Sequence, residues 1–131
     1  SDRTEGHELS WYRAWDGFHH TIAVGQGNKM HHYAFDAASV QDLVHLADAL
    51  VVKDRQLLWG PGRHGAGENI FTYYRDPTGC VVETSFGMMR VDNDDIYEPT
   101  VWALSPTSKV RNLWCNAPSA EGYRDLGLPY L

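Results

Sequence analysis

The side-chain period changes twice between residues 30 and 86, and that alternation restricts the chain to a small set of folds. MHHYAFD at 30–36 follows a GQGN turn and reads as a strand. Val40, Leu43, Val44, Ala47, Leu50 and Val51 then recur at helical spacing, and Ser39 with Asp42 three residues on makes a capping box. A helix is expected over 39–52, with Asp42, His45 and Asp48 on its exposed face. Strand patterns return near 55–59, at 69–75 (NIFTYYR) and at 80–86 (CVVETSF). The last two are joined by Asp76-Pro77-Thr78-Gly79, whose Pro and Gly suit a type I turn. The order is strand, helix, strand, strand, strand.

Two more strands are expected upstream, at 9–15 and 18–24, with Asp16-Gly17 between them as a hairpin turn. Residues 87–131 have no clear period, but Tyr97, Trp102, Trp114 and Tyr123 argue for a packed tail, because disordered tails are poor in aromatics. The fold class is therefore α+β with a mostly antiparallel sheet, and 131 residues suffice for one real core. A net charge of −6 argues against a nucleic-acid binder, which needs a basic footprint. No apolar run approaches the ~20 residues needed to span a bilayer, and no basic-then-apolar leader is present, so a cytoplasmic protein is expected. Cys80 and Cys115 form no disulfide framework and read as reduced thiols. The acidic RVDNDD stretch at 90–95 lacks the spacing of a calcium loop and reads as solvated.

Strand parity sorts the residues able to carry chemistry. Glu83 shares a face with Val81 and Ser85 in a strand that otherwise reads as buried. A buried carboxylate needs a cation, a metal or water beside it, and the competing reading puts Glu83 on a solvated face. His19 and His20, and again His31 and His32, are adjacent pairs in which one ring can enter a common site. Two such pairs with a carboxylate resemble the ligand chemistry of the facial triad that holds non-haem Fe(II). The loop GPGRHGAG at 60–67 lacks the ending of a P-loop, and its glycines are read as bending the backbone to present Arg63 and His64. Tyr73 and Tyr74 point to opposite sides of their strand, so one of them can face the same site.

In order along the chain, MHHYAF, a helix and WGPGRHGAGENIFTYYRDPTGCVVE resemble the last module of the type I extradiol ring-cleavage dioxygenases of the vicinal oxygen chelate superfamily. The likeness extends upstream through Trp11 and FHHTIA and more weakly downstream to RNLWCNAP, covering roughly 9–118. It implies a βαβββ module at 29–87, closing strands of a preceding module at 1–28, and a tail or lid at 88–131. It also implies His32 and Glu83 as metal ligands, His31 as structural, and His19 and Tyr73 as catalytic residues. Trp11, His64 and Arg111 are implied to contact substrate. By parity Trp11, His19, His32, Tyr73 and Glu83 can all face one concavity.

The implied activity is extradiol cleavage of a catechol-type aromatic with O2 at Fe(II), with Mn(II) as the alternative metal. The family's first ligating His belongs to the opening strand of the preceding module, and His7 sits too close to Trp11 to be that residue. The expectation is therefore that an upstream segment or a second polypeptide supplies it, in an oligomer. Trp59 stands where the homoprotocatechuate enzymes carry Arg, which makes a carboxylate-bearing substrate less secure, although Arg111 keeps it open. The competing function is a non-catalytic module of the same superfamily that binds an aromatic ligand.

Overall fold

The computed structural model describes residues 2–103 and 109–114. Its elements are β1 (Arg3–Thr4), a short 3-10 turn (Glu5–His7), β2 (Leu9–Tyr12), β3 (Ile22–Gly25), β4 (Tyr33–Asp36), α1 (Val40–Val52), β5 (Trp59–Arg63), β6 (Ile70–Arg75), β7 (Val81–Phe86) and β8 (Val101–Trp102). They form two four-stranded sheets, ordered β3-β2-β1-β8 and β4-β7-β6-β5. β4 runs parallel to β7 and β1 parallel to β8, while every other pair is antiparallel. The second sheet with its helix is the βαβββ unit, and β1, β2 and β3 precede it.

The second sheet assembles for local reasons. Ser39 caps α1 reciprocally with Asp42, satisfying backbone donors that the first helical turn leaves unpaired. Asp76 stabilises the turn between β6 and β7 by accepting from Thr78 N, Thr78 Oγ1 and Cys80 N. One sheet face carries the core cluster Trp59, Phe71, Tyr73 and Val81, with Leu58 against it. α1 packs along β6 and β7, and its Leu43 and Leu50 are buried, as are Thr72 and Val82 on the alternate positions of those strands. Fully burying a leucine contributes on the order of 1.5–3 kcal/mol, so these two side chains hold the helix in place.

Four expectations are corrected. The hairpin at Asp16-Gly17 is not a two-residue turn: Tyr12 pairs with Ile22, so residues 13–21 form the whole connection. Residues 17–19 pair instead with the tail, through the Phe18–Arg90 bridge, His19 N to Met89 O (2.8 Å) and Val91 N to Gly17 O (2.8 Å). The strand after the helix is 59–63 rather than 55–59, so part of the glycine-rich run is strand. Glycine is required there because a Cβ on Gly60 would lie 2.6 Å from Phe71 O, and one on Gly62 would lie 2.4 Å from the Phe71 ring. His31 and His32 precede β4 rather than belonging to it. Finally, Val40, Val44 and Val51 are exposed beside the polar residues of α1, because only the Leu43–Leu50 side of the helix meets the sheet.

The described tail is packed only in part: Val91, Val110 and Asn112 are buried, whereas residues 92–96 and Trp114, one of the aromatics expected to pack, are exposed. Val110 joins Trp11 and Ala66 in a second core cluster, Gly65 N donates to Val110 O, and Leu113 N donates to Arg63 O. Cys115 and Tyr123 lie outside the described residues.

Candidate functional site

Glu83 organises the site. It is 6% exposed, opposite Tyr73 on β6 and Ala34 on β4. Its Oε2 accepts from Tyr73 Oη (2.9 Å) and lies 3.1 Å from His32 Nε2. Its Oε1 accepts from Asn69 Nδ2 (3.1 Å) and lies 3.4 Å from His64 Nε2. Burial alone would push this carboxyl up, but the His32 and His64 contacts outweigh it and hold Glu83 well below the usual carboxylate range. Tyr73 is driven the other way, first by burial and then by the adjacent Glu83 charge, so its hydroxyl keeps its proton. The solvated reading of Glu83 is thereby excluded.

Each neighbour is held from behind. His64 Nδ1 donates to the Arg111 carbonyl (2.5 Å), and its Nε2 lies 3.2 Å from Tyr73 Oη. The His64 ring stacks on Phe71 with centroids 3.9 Å apart and meets Trp59 edge-on. His32 packs edge-on against Tyr73, with the exposed His31 ring at its other nitrogen, Nδ1 to Nδ1 2.5 Å. His32, His64, Tyr73 and Glu83 are thus brought together, and Arg111 enters through its backbone carbonyl. Trp11 is buried with Ala66 and Val110, its ring centroid 6.5 Å from that of His20.

His19 is placed differently from the parity expectation. Its Nε2 lies 3.2 Å from Asp2 Oδ2, its ring meets Tyr97 edge-on, and its Nδ1 lies 2.9 Å from His20 Nδ1. His20 is the member of the pair that feels the charges of Glu83, His64 and His32. The reason is the tail pairing of residues 17–19, which takes both histidines out of the β2–β3 ladder where alternation would have applied. Burial first, and the neighbouring His19 second, depress His20 to about 4. His19 is depressed by burial against an opposing pull from Asp2.

Sequence reasoning missed three residues. His20 was visible only as half of an ambiguous pair. Asn69 carried no signal, yet it is 1% exposed, it donates to Glu83, and its buried Oδ1 has no hydrogen-bond partner among the described residues. Asp2 also carried none, although it is buried and accepts from Tyr97 Oη (2.6 Å), Thr100 N (2.9 Å) and Trp102 Nε1 (2.9 Å).

The donor set fits a divalent metal in part. Adjacent ligands on an octahedral ion with bonds of about 2.1 Å are separated by about 3.0 Å, and His32 Nε2 and Glu83 Oε2 stand 3.1 Å apart. Among the described residues no group of three or more His, Cys, Asp or Glu side chains makes a complete metal-holding set. His32 and Glu83 are two donors of the right type and separation.

No family model matches the chain. It is 36% identical over 80 residues to a manganese-dependent 2,3-dihydroxybiphenyl 1,2-dioxygenase of Geobacillus genomosp. 3, covering 60% of this chain and 25% of that protein. It is 31% identical over 125 residues to metapyrocatechase 2 of Cupriavidus necator, covering 94% of this chain and 38% of that one. It superposes with a TM-score of 0.76 and 26% identity on an anaerobic substrate complex of homoprotocatechuate 2,3-dioxygenase from Brevibacterium fuscum, over 94% of this chain and 39% of that chain. The chain thus spans between a quarter and two fifths of the length of these relatives. By fold and by sequence it is a vicinal-oxygen-chelate module related to the extradiol dioxygenases.

Proposed function

We propose that this chain forms part of an extradiol dioxygenase that opens the ring of a catechol-type aromatic and places both atoms of O2 in the product. The observation that carries this reading is the convergence of His32, His64 and Tyr73 on the two oxygens of buried Glu83. His32 and Glu83 would hold a divalent metal, with the remaining imidazole ligand coming from an upstream segment or another polypeptide. Fe(II) is the first choice, and the manganese dependence of the 36% identical relative supports Mn(II) as the alternative. Bound there, the metal would acidify the catechol hydroxyls and gather both reactants in one place.

The chain's own residues account for the rest. Tyr73 keeps its proton and offers it as a hydrogen bond at the Glu83 end of the site. His64, fixed through the Arg111 carbonyl, adds a second polar contact. Trp59 and Phe71 make the apolar wall behind it. His20, half-buried and uncharged at neutral pH, has a ring nitrogen that can take up or return one substrate proton. His19 supports it from Asp2. Exposed apolar residues on β3 (Ile22, Val24), on β4 (Phe35) and on α1 (Val44, Val51) support the proposal that more polypeptide packs here.

The test is native mass spectrometry of the anaerobically purified protein, followed by oxygen-uptake measurements with a panel of catechols. One O2 consumed per catechol by a metal-bearing assembly with additional polypeptide is the expected result. A metal-loaded protein that binds catechols without consuming oxygen overturns catalysis and leaves the aromatic-ligand binding module.

A further inference from the structure

Asp2, His19 and His20 form a continuous hydrogen-bonded line leading toward the Glu83 group. Asp2 Oδ2 lies 3.2 Å from His19 Nε2, and His19 Nδ1 lies 2.9 Å from His20 Nδ1. The proton positions along this line are determined by elimination. An ionised carboxylate only accepts, so His19 must donate from Nε2. A neutral imidazole has one N–H, so His19 Nδ1 is then a bare acceptor. The 2.9 Å contact therefore requires His20 to donate from Nδ1. His20 Nε2 is left as a lone pair, and among the described residues no hydrogen bond forms at it.

We propose that Asp2 and His19 act as positioning residues that lock His20 in the tautomer protonated on Nδ1, leaving Nε2 as the atom that accepts a substrate proton. The catalytic half of this statement rests on the dioxygenase reading above, whereas the tautomer does not. Three surroundings support it. Asp2 is fixed by Tyr97, Thr100 and Trp102, and those hydrogen bonds outweigh burial in keeping it ionised. Both imidazoles are depressed below their ordinary value, so each is neutral and carries a single N–H. Gly67 permits the His20 ring to lie close to the backbone, since a Cβ there would stand 3.1 Å from its Cε1. Imidazole roles are commonly set by the partner of the other ring nitrogen, and here that partner is another imidazole rather than a carboxylate.

Neutron diffraction from crystals of the deuterated whole protein, prepared without metal, reads the arrangement directly. Deuterium is expected on His19 Nε2 and on His20 Nδ1, with none on His20 Nε2. Deuterium on His20 Nε2 overturns the proposal, whether or not the protein turns over any catechol. The catalytic half is read from His19→Phe and His19→Gln. Gln can donate to Asp2 through its amide and accept from His20 through its oxygen, whereas Phe can do neither. His19→Phe should lower kcat on the order of tenfold to a hundredfold with KM changed by less than about twofold, and His19→Gln should recover most of that loss. Equal losses in the two variants, or a loss confined to KM, overturn the positioning role. Absence of oxygen uptake in the unsubstituted protein removes the dioxygenase reading and leaves the tautomer result standing.

Discussion

Tyr73 and Glu83 face each other across one antiparallel rung of β6 and β7, and the phenol donates to the carboxylate at 2.9 Å. The bond is buried and charge-assisted, so it stabilises the fold and orients an oxygen of the site. Tyr73→Phe removes the donor with little change of shape. The expected cost is about 1.5–3 kcal/mol in the metal-free protein, measured by urea unfolding.

Glu83→Gln tests the carboxylate itself. The amide keeps the volume but loses the charge and one acceptor. Metal bound per chain, measured by elemental analysis after equilibration with Fe(II) or Mn(II), should fall at least about tenfold, with an unchanged circular dichroism spectrum. Full metal occupancy in this variant would remove Glu83 from the ligand set.

Asp76, in the turn between β6 and β7, provides a pH test of the fold. It accepts from Thr78 and from Tyr33 Oη, which lower its pKa from 3.8 to about 2. A carboxyl lowered in the folded state stabilises above its unfolded value, and that contribution is lost as pH falls through the folded value. The stability difference between the unsubstituted protein and Asp76→Asn should therefore be constant above pH 3.8 and shrink as pH is lowered toward about 2. Urea midpoints of both proteins across that range provide the measurement.

Ser39→Ala breaks the capping box at the start of α1. The loss should be about 1 kcal/mol in unfolding free energy, with metal binding unaffected, since the cap is remote from Glu83 in the sequence and lies at the end of the helix.

Local rules made most of the second sheet legible. The α1 cap, the Asp76 turn and the parity of 81–86 each depend on residues within a few positions, and all three appear in the structure. The same parity placed Glu83 and Tyr73 on one face. It failed for His19 because alternation holds only inside a ladder, and residues 17–19 pair with the distant tail. Asp2 and Asn69 were invisible for a related reason. Each matters through side-chain hydrogen bonds to partners such as Trp102 or Glu83, which no local pattern announces.

The bridge between Phe18 and Arg90 also bears on the order of folding. The β6–β7 hairpin needs only a four-residue turn to bring Tyr73 and Glu83 together, whereas His20 reaches its place only after a long loop closes. Loop closure costs entropy before distant contacts can repay it, so half of the site should be native-like in the folding transition state while the imidazole pair is still unplaced. Substitutions in the hairpin should accordingly slow refolding, and substitutions at the bridge should chiefly hasten unfolding.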